Sequence, residues 1–347
     1  MKLKFMEQPP LCPKLVTCPK CGTNDRIGIH SQAERRYICH RCQITFTETK
    51  DTPLHDLKYP LWVVVLVLTL LAHGCPLQAI VVAFGLDERT IADWQGKAGR
   101  HGEEIQDKVV CNGQVELGQV QADELSVKVQ GGRVWMATAM SVFARLFLWG
   151  EIAPQRDSHL IERLMGQVWA AAGGVLQPVL FAIDGLAAYP KAILQSFYTK
   201  GLTGKPGRPR HIPWPDLHIV QVVKHYSGRK LQSIERRVVH GCRARVDELI
   251  ALSQTWIGLI NTAYIERLNA TFRSLLPSLA RRTRNLARLT ERLRSEMFWC
   301  GVVYNFCTVH CSLGATPTMA AGLTDHVWSV RELLLFKPPK KPLHAVL

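Results

Sequence analysis

Four cysteines in the first fifty residues stand in two pairs, Cys18 and Cys21 in CPKCG and Cys39 and Cys42 in CHRC. Seventeen residues separate the pairs. Two thiolates three positions apart on a tight turn can share one metal ion, and Gly22 allows such a turn. Two knuckles of this kind fill a tetrahedral shell with sulfur, so a structural Zn²⁺ with no open coordination position is expected. His40, inside the second knuckle, is expected to face solvent. Further along, three carboxylates occur in the order Asp123, Asp184, Glu266. Asp123, with Glu124 beside it, falls in an apolar run where an uncompensated charge is costly. Mg²⁺ (or Mn²⁺) is a compensation that carboxylate oxygens suit. Three carboxylates can hold two ions roughly 4 Å apart, one activating an attacking oxygen and the other steadying a leaving oxygen. The stretch NTAYIERLNATFR around Glu266 reads as a helix with Asn261 as its N-cap. Its periodicity puts Glu266, Asn269 and Arg273 on one stripe, a carboxylate, an amide and a guanidinium suited to meet metal and phosphate together.

The elements that must position these groups follow from pattern. Residues 1–57 read as a zinc ribbon with a flexible N-terminus. Residues 58–110 turn helical: LWVVVLVLTLLA after Pro60, a second helix from about Pro76 to Phe84, a turn at Gly85, and a third helix N-capped by Asp87 and running to about Ala98. The last two make a helix-turn-helix, with Arg89, Thr90, Asp93, Lys97 and Arg100 toward the DNA-facing side. In 111–310, three strands come first, within Val115–Val129, Val134–Val142 and Arg145–Ala153. A helix Ser158–Ala172, a short buried strand Val179–Ile183 ended by Asp184-Gly185, and a helix Tyr189–Tyr198 follow. A fifth strand spans His218–Val223, with a hairpin turn at Ser227-Gly228, and helices follow from Asp247. This is the element order of an RNase H-like α/β fold with a mixed five-stranded sheet. A Pro- and Gly-rich basic linker near 201–216 interrupts it. Its Arg208 and Arg210 resemble hooks that enter a narrow minor groove. Residues 311–347 form a C-terminal segment and tail.

The chain of 347 residues carries 43 Lys and Arg against 28 Asp and Glu, a formal charge of +15. The surplus is uneven: 9 against 4 over 1–50, 7 against 7 over 112–200, and 18 against 6 over 201–295. Two basic segments flanking a neutral one point to a polyanionic partner, nucleic acid first. Arg281, Arg282 and Arg284 belong to the densest basic cluster and are expected to grip phosphates. The run Leu61–Ala72 is too short for a membrane span. The N-terminus lacks an apolar leader core, so no secretory signal is expected. An odd count of eleven cysteines in that setting argues against a disulfide framework. Cys300, Cys307 and Cys311, near His310, fit a packed helix face better than a second metal site. No motif supports a Ser or Cys nucleophile.

With these residues in hand, the chain resembles bacterial insertion-sequence transposases of the DDE type. The matching pieces are CPKCG and CHRC, the helix-turn-helix, QADEL, IDGLAAYPKAI, GKPGRPR, NTAYIERLNATFR and YNFC with TPTMAAGLTDH. They span nearly the whole length. The resemblance implies Asp123, Asp184 and Glu266 as the catalytic triad, two Mg²⁺ or Mn²⁺ ions, hydrolysis at each element end, and attack of the freed 3′-hydroxyl on target DNA. It implies double-stranded DNA as partner, a homo-oligomer on that DNA, and a cytoplasmic, nucleoid-associated location. Two other classes stand beside it: a DNA-binding regulator with an inert nuclease-like domain, and a structural DNA-binding subunit.

Overall fold

Around the cysteine pairs three short strands form an antiparallel sheet in the order β1 (Ile27–Ser31), β2 (Arg36–Cys39), β3 (Ile44–Thr47). Leu11, Cys18, Tyr37, Cys39 and Phe46 make its own small core. The computed structural model describes residues 10–201, 209–228, 230–253, 258–280, 287 and 289–339.

Three helices come next: α1 (Leu61–Ala72), α2 (Leu77–Phe84) and α3 (Glu88–Ile105). Pro60 stands one position before α1 rather than inside its first turn. Gly85 adopts φ 62° and ends α2, and the Asp87 carboxylate accepts from the amides of Arg89 and Thr90, as its N-cap position requires. The third helix runs one and a half to two turns beyond the expected end at Ala98. Its added turns carry Gly99 and Gly102. A Cβ on Gly99 would stand 2.3 Å from the Ser295 carbonyl oxygen, and one on Gly102 would stand 2.9 Å from Val302. They are close-approach residues, not terminators.

The large sheet has six strands in the order β11-β10-β7-β4-β5-β6, one more than the five expected. Its members are β4 (Gly118–Val129), β5 (Gly132–Ser141), β6 (Leu146–Ala153), β7 (Val179–Asp184), β10 (Leu217–Ser227) and β11 (Lys230–His240). The extra strand is β11, which returns antiparallel from the Ser227-Gly228 turn. Its exposed, charge-rich sequence lacks the apolar alternation that marks a strand. Strands β4, β7 and β10 are parallel, while β5 and β6 add antiparallel beside β4. Helices α4 (Ser158–Ala172) and α5 (Ala188–Ser196) flank β7 in sequence. At the described ends of the expected linker, β8 (Tyr198–Gly201) pairs with β9 (Arg210–Pro213), and the Tyr198 ring stacks on His211.

Beyond the sheet lie α6 (Arg243–Leu252), α7 (Ala263–Leu275), α8 (Thr290–Cys307), α9 (Pro317–Ala320) and α10 (Val330–Leu335). From Leu293 to Phe306 α8 is buried almost all round, as a helix threaded through a core must be. Its Trp299 indole donates to the Leu68 carbonyl of α1 at 2.9 Å, and its Asn305 pairs with both backbone groups of Phe147 on β6. One continuous hydrophobic core therefore joins α1, α3, the sheet, α4, α5, α7 and α8.

Candidate functional site

Parallel register sets the first part of the site. Ala122 on β4 lies opposite Ile183 on β7, and Val222 on β10 lies opposite Asp184. Asp123, Asp184 and Lys224 thus reach the same carboxyl end of three neighbouring parallel strands, where α/β sheets place their ligands. Helix α7 is seated against this end by β4 itself. The Gln121 side chain accepts from the amides of Tyr264 and Ile265 at 3.1 and 3.0 Å and donates to the Asn261 carbonyl at 2.8 Å. The expected Asn261 cap is partly replaced: Asn261 Oδ1 takes only the Ala263 amide, and Thr262 occupies the N-cap position. A buried amide two residues before Asp123 thereby serves the orphan donors of the helix that carries Glu266.

Asp123, Asp184, Glu266, Asn269 and Arg273 all line one cleft of about 770 Å³. Asn269 is buried, receives Thr138 Oγ1 at 2.9 Å on its carbonyl, and donates its amide to Asp123 Oδ2 at 2.9 Å. Asp184 Oδ1 accepts the Leu186 amide at 2.9 Å. Glu266 Oε1 accepts Lys224 Nζ at 2.6 Å and Thr262 Oγ1 at 3.1 Å. Burial pushes the Asp123 carboxyl above its ordinary range, with a further push from the charges of Asp184 and Glu266. A desolvated carboxylate among like charges is the donor a divalent cation relieves, so this oxygen set fits a hard metal ion.

Closest together are ligand oxygens of Asp123, Glu124 and Asp184, all within 4.8 Å of one another. Glu266 is outside that group and is held by Lys224. Strand alternation turns the Glu124 side chain to the face opposite that of Asp123. It points to α5, where the Tyr189 hydroxyl donates to Glu124 Oε2 at 2.9 Å. Yet Arg156 reaches round the strand end, bonding Glu124 Oε1 and also Asp184 Oδ2, the latter at 3.3 Å. Glu124 has no exposed side-chain area. Arg156 also lies over the Trp135 ring at 5.2 Å. Sequence reasoning missed Arg156, Tyr189, Lys224 and Gln121. Only Gln121 carried a signal, as an uncharged polar residue inside a buried strand.

The four cysteines Cys18, Cys21, Cys39 and Cys42 form one cluster. The two knuckles repeat a single design. The amide of Gly22 donates to the Cys18 carbonyl and that of Gln43 to the Cys39 carbonyl, and both Gly22 and Gln43 have positive φ. The Cys21 and Cys39 sulfurs are 3.8 Å apart. A tetrahedron with metal–sulfur bonds of about 2.3 Å has edges of about that length. The Cys21 thiol is brought down to about 7, first by a backbone hydrogen bond at Thr23 and then by Cys42, which is itself pushed up to about 12. Lys337 Nζ is buried nearby without a hydrogen-bond partner, within the field of Asp51 and Cys18. A tetrathiolate carrying net negative charge is the neighbour such a cation lacks, so the donor set fits a metal ion. His40 is exposed, and no group that includes Cys300, Cys307, Cys311 or His310 is found among the described residues.

On α3, Ile91, Trp94, Ala98, Gly99 and Ile105 face the core, leaving Arg89, Asp93 and Arg100 exposed and Thr90 and Lys97 half-buried. Lys97 is paired with Asp93 at 2.8 Å. Arg210 is exposed on β9. Arg208, Arg281, Arg282 and Arg284 lie outside the described residues. No helix among the described residues is long and apolar enough to cross a membrane. Neither a scan against models of known protein families nor a search of curated proteins finds a match to this chain.

Proposed function

We propose that this chain is a DNA transposase of the DDE type, acting on the terminal repeats of an insertion sequence through an RNase H-like catalytic core. The observation that carries the reading is the shared cleft: Asp123, Asp184 and Glu266 line it together with Asn269 and Arg273. In this reading Cys18, Cys21, Cys39 and Cys42 hold structural Zn²⁺ in a zinc ribbon. Asp123, Asp184 and Glu266 hold Mg²⁺ or Mn²⁺. When bound, two such ions would activate the attacking oxygen and steady the leaving oxygen of a phosphodiester.

The chain's own groups do the rest. Asn269 fixes the rotamer of Asp123, and the Leu186 amide fixes that of Asp184. Arg273 offers a guanidinium on the cleft wall for a phosphate. The exposed face of α3, with Arg89 and Arg100, meets duplex DNA, and the protein works as a homo-oligomer on the element ends. Cleavage of a labelled terminal-repeat duplex tests the reading. Wild-type protein should cut with Mg²⁺, and Asp184→Asn, Asp123→Asn and Glu266→Gln should each abolish cutting while end binding persists. Glu124→Gln should slow cutting, because Glu124 holds Arg156 against Asp184. The grouping of Glu124, rather than Glu266, with the two aspartates favours a second reading, a DNA-binding regulator with an inert nuclease-like fold. Specific end binding by a wild type that never cuts would establish that alternative.

A further inference from the structure

Two cations sit on the cleft carboxylates, and they are held in different ways. Arg156 is anchored: it bonds the fully enclosed Glu124 as well as Asp184, and its guanidinium lies over Trp135. Lys224 has Glu266 as its hydrogen-bonding partner, at 2.6 Å. Its own surroundings are open. The strand β10 is buried from Leu217 to Val222 and exposed from Lys224 to Ser227. Opposite it, β11 is exposed from Lys230 through Arg237. Lys224 therefore stands at the base of a two-stranded arm that runs past the sheet, at the point where the arm leaves the cleft. A lysine is a compact charge on a flexible four-carbon stem, able to change partner without moving the backbone. Its present partner is a carboxylate that metal binding would engage.

Resting on the proposed function above, we infer that Lys224 is a transferable cation of this site. In the free protein it occupies Glu266. When a divalent cation takes that carboxylate, Lys224 moves to a phosphate of the DNA backbone entering the cleft. The site thus keeps its charge compensated before metal arrives, and the same ammonium then becomes a substrate contact. Arg156, tied to Glu124, stays with the protein throughout.

The test uses the full-length chain and Mn²⁺ followed by electron paramagnetic resonance, without DNA. Lys224→Met removes the competing charge and should bind Mn²⁺ about five- to tenfold more tightly than wild type. Lys224→Arg keeps the charge and should stay near wild type. With a terminal-repeat duplex, Lys224→Met should lower the dependence of log affinity on log salt by about one, and it should cut more slowly than wild type at saturating Mn²⁺. Lys224 is exposed, so the variant is expected to fold, and its thermal midpoint checks this. Unchanged or weaker Mn²⁺ binding by Lys224→Met would overturn the inference, since Lys224 would then only orient Glu266. So would an unchanged salt slope. Wild-type Mn²⁺ binding that survives both Asp184→Asn and Glu266→Gln would instead remove the metal-site reading on which the inference stands.

Discussion

Asp123 shows what a buried carboxylate costs this fold. Burial raises its carboxyl above the ordinary 3.8. A carboxyl with a folded-state pKa above its unfolded value binds more protons when folded across that window, so stability falls as pH rises through it. Charged Asp123 therefore costs stability at neutral pH. Asp123→Asn should raise the thermal midpoint in EDTA by about 2 °C near pH 7.5. The gain should disappear as the pH falls toward the ordinary carboxyl value. Differential scanning calorimetry at several pH values checks this, and a lower midpoint for the variant at neutral pH would show that the charge is already compensated. Added Mg²⁺ should stabilise wild type and leave the variant unchanged. At this scale the sequence made Asp123, Asp184 and Glu266 visible, because a charge in an apolar run and an ordered motif set are local signals. Arg156 and Lys224 were hidden because nothing local distinguishes a surface cation from one that reaches a carboxylate across the sheet.

Two elements depend on contacts of opposite kinds. Helix α3 approaches α8 so closely that a side chain at Gly99 meets backbone at Ser295. Gly99→Val should force the helices apart and destabilise the fold by about 2 kcal/mol, read as a lower midpoint in urea. A neutral result would show that α8 yields at that point. The cysteine-bearing sheet has only a small core, so if its four thiols hold Zn²⁺ as proposed, its integrity rests on that ion. Cys39→Ser should lose Zn²⁺, measured by atomic absorption on the purified protein, and weaken end binding while cooperative unfolding of the larger core remains. Full Zn²⁺ occupancy in that variant would refute the four-thiolate site. The knuckles, α2 and the Asp87 cap were legible from spacing and cap chemistry. The length of α3 was not, because its buried positions past Ala98 are Gly99, His101, Gly102 and Ile105, which make no apolar stripe. Strand β11 showed only as the return of the Ser227-Gly228 hairpin and was left out of the five strands expected: it is exposed on nearly every residue and bears no two-residue periodicity.

Over the whole molecule, the +15 charge sets the expected physics of association. If duplex DNA is the partner, as proposed, binding should weaken steeply with salt. Arg89 and Arg100 share the exposed face of α3, and each exchanged for Ala should reduce the salt slope by about one if it meets a phosphate. A slope equal to wild type, with affinity lost for one sequence only, would assign that arginine to base reading instead. Composition made a polyanionic partner the first expectation, and element order made the mixed sheet legible. Composition did not reveal that the first three helices and the sheet share one core. That depends on α8, whose apolar residues lie all round the helix and so point to no particular neighbour.

The bond between Gln121 and the first turn of α7 has a consequence for biosynthesis. Its two ends lie 143 and 144 residues apart along the chain. While the ribosome is still making that interval, the nascent polypeptide has Asp123 and then Asp184, but no helix for Gln121 to hold and no Glu266. If the protein cuts DNA as proposed, it is harmless throughout its own translation and becomes competent only when α7 docks on a strand made long before.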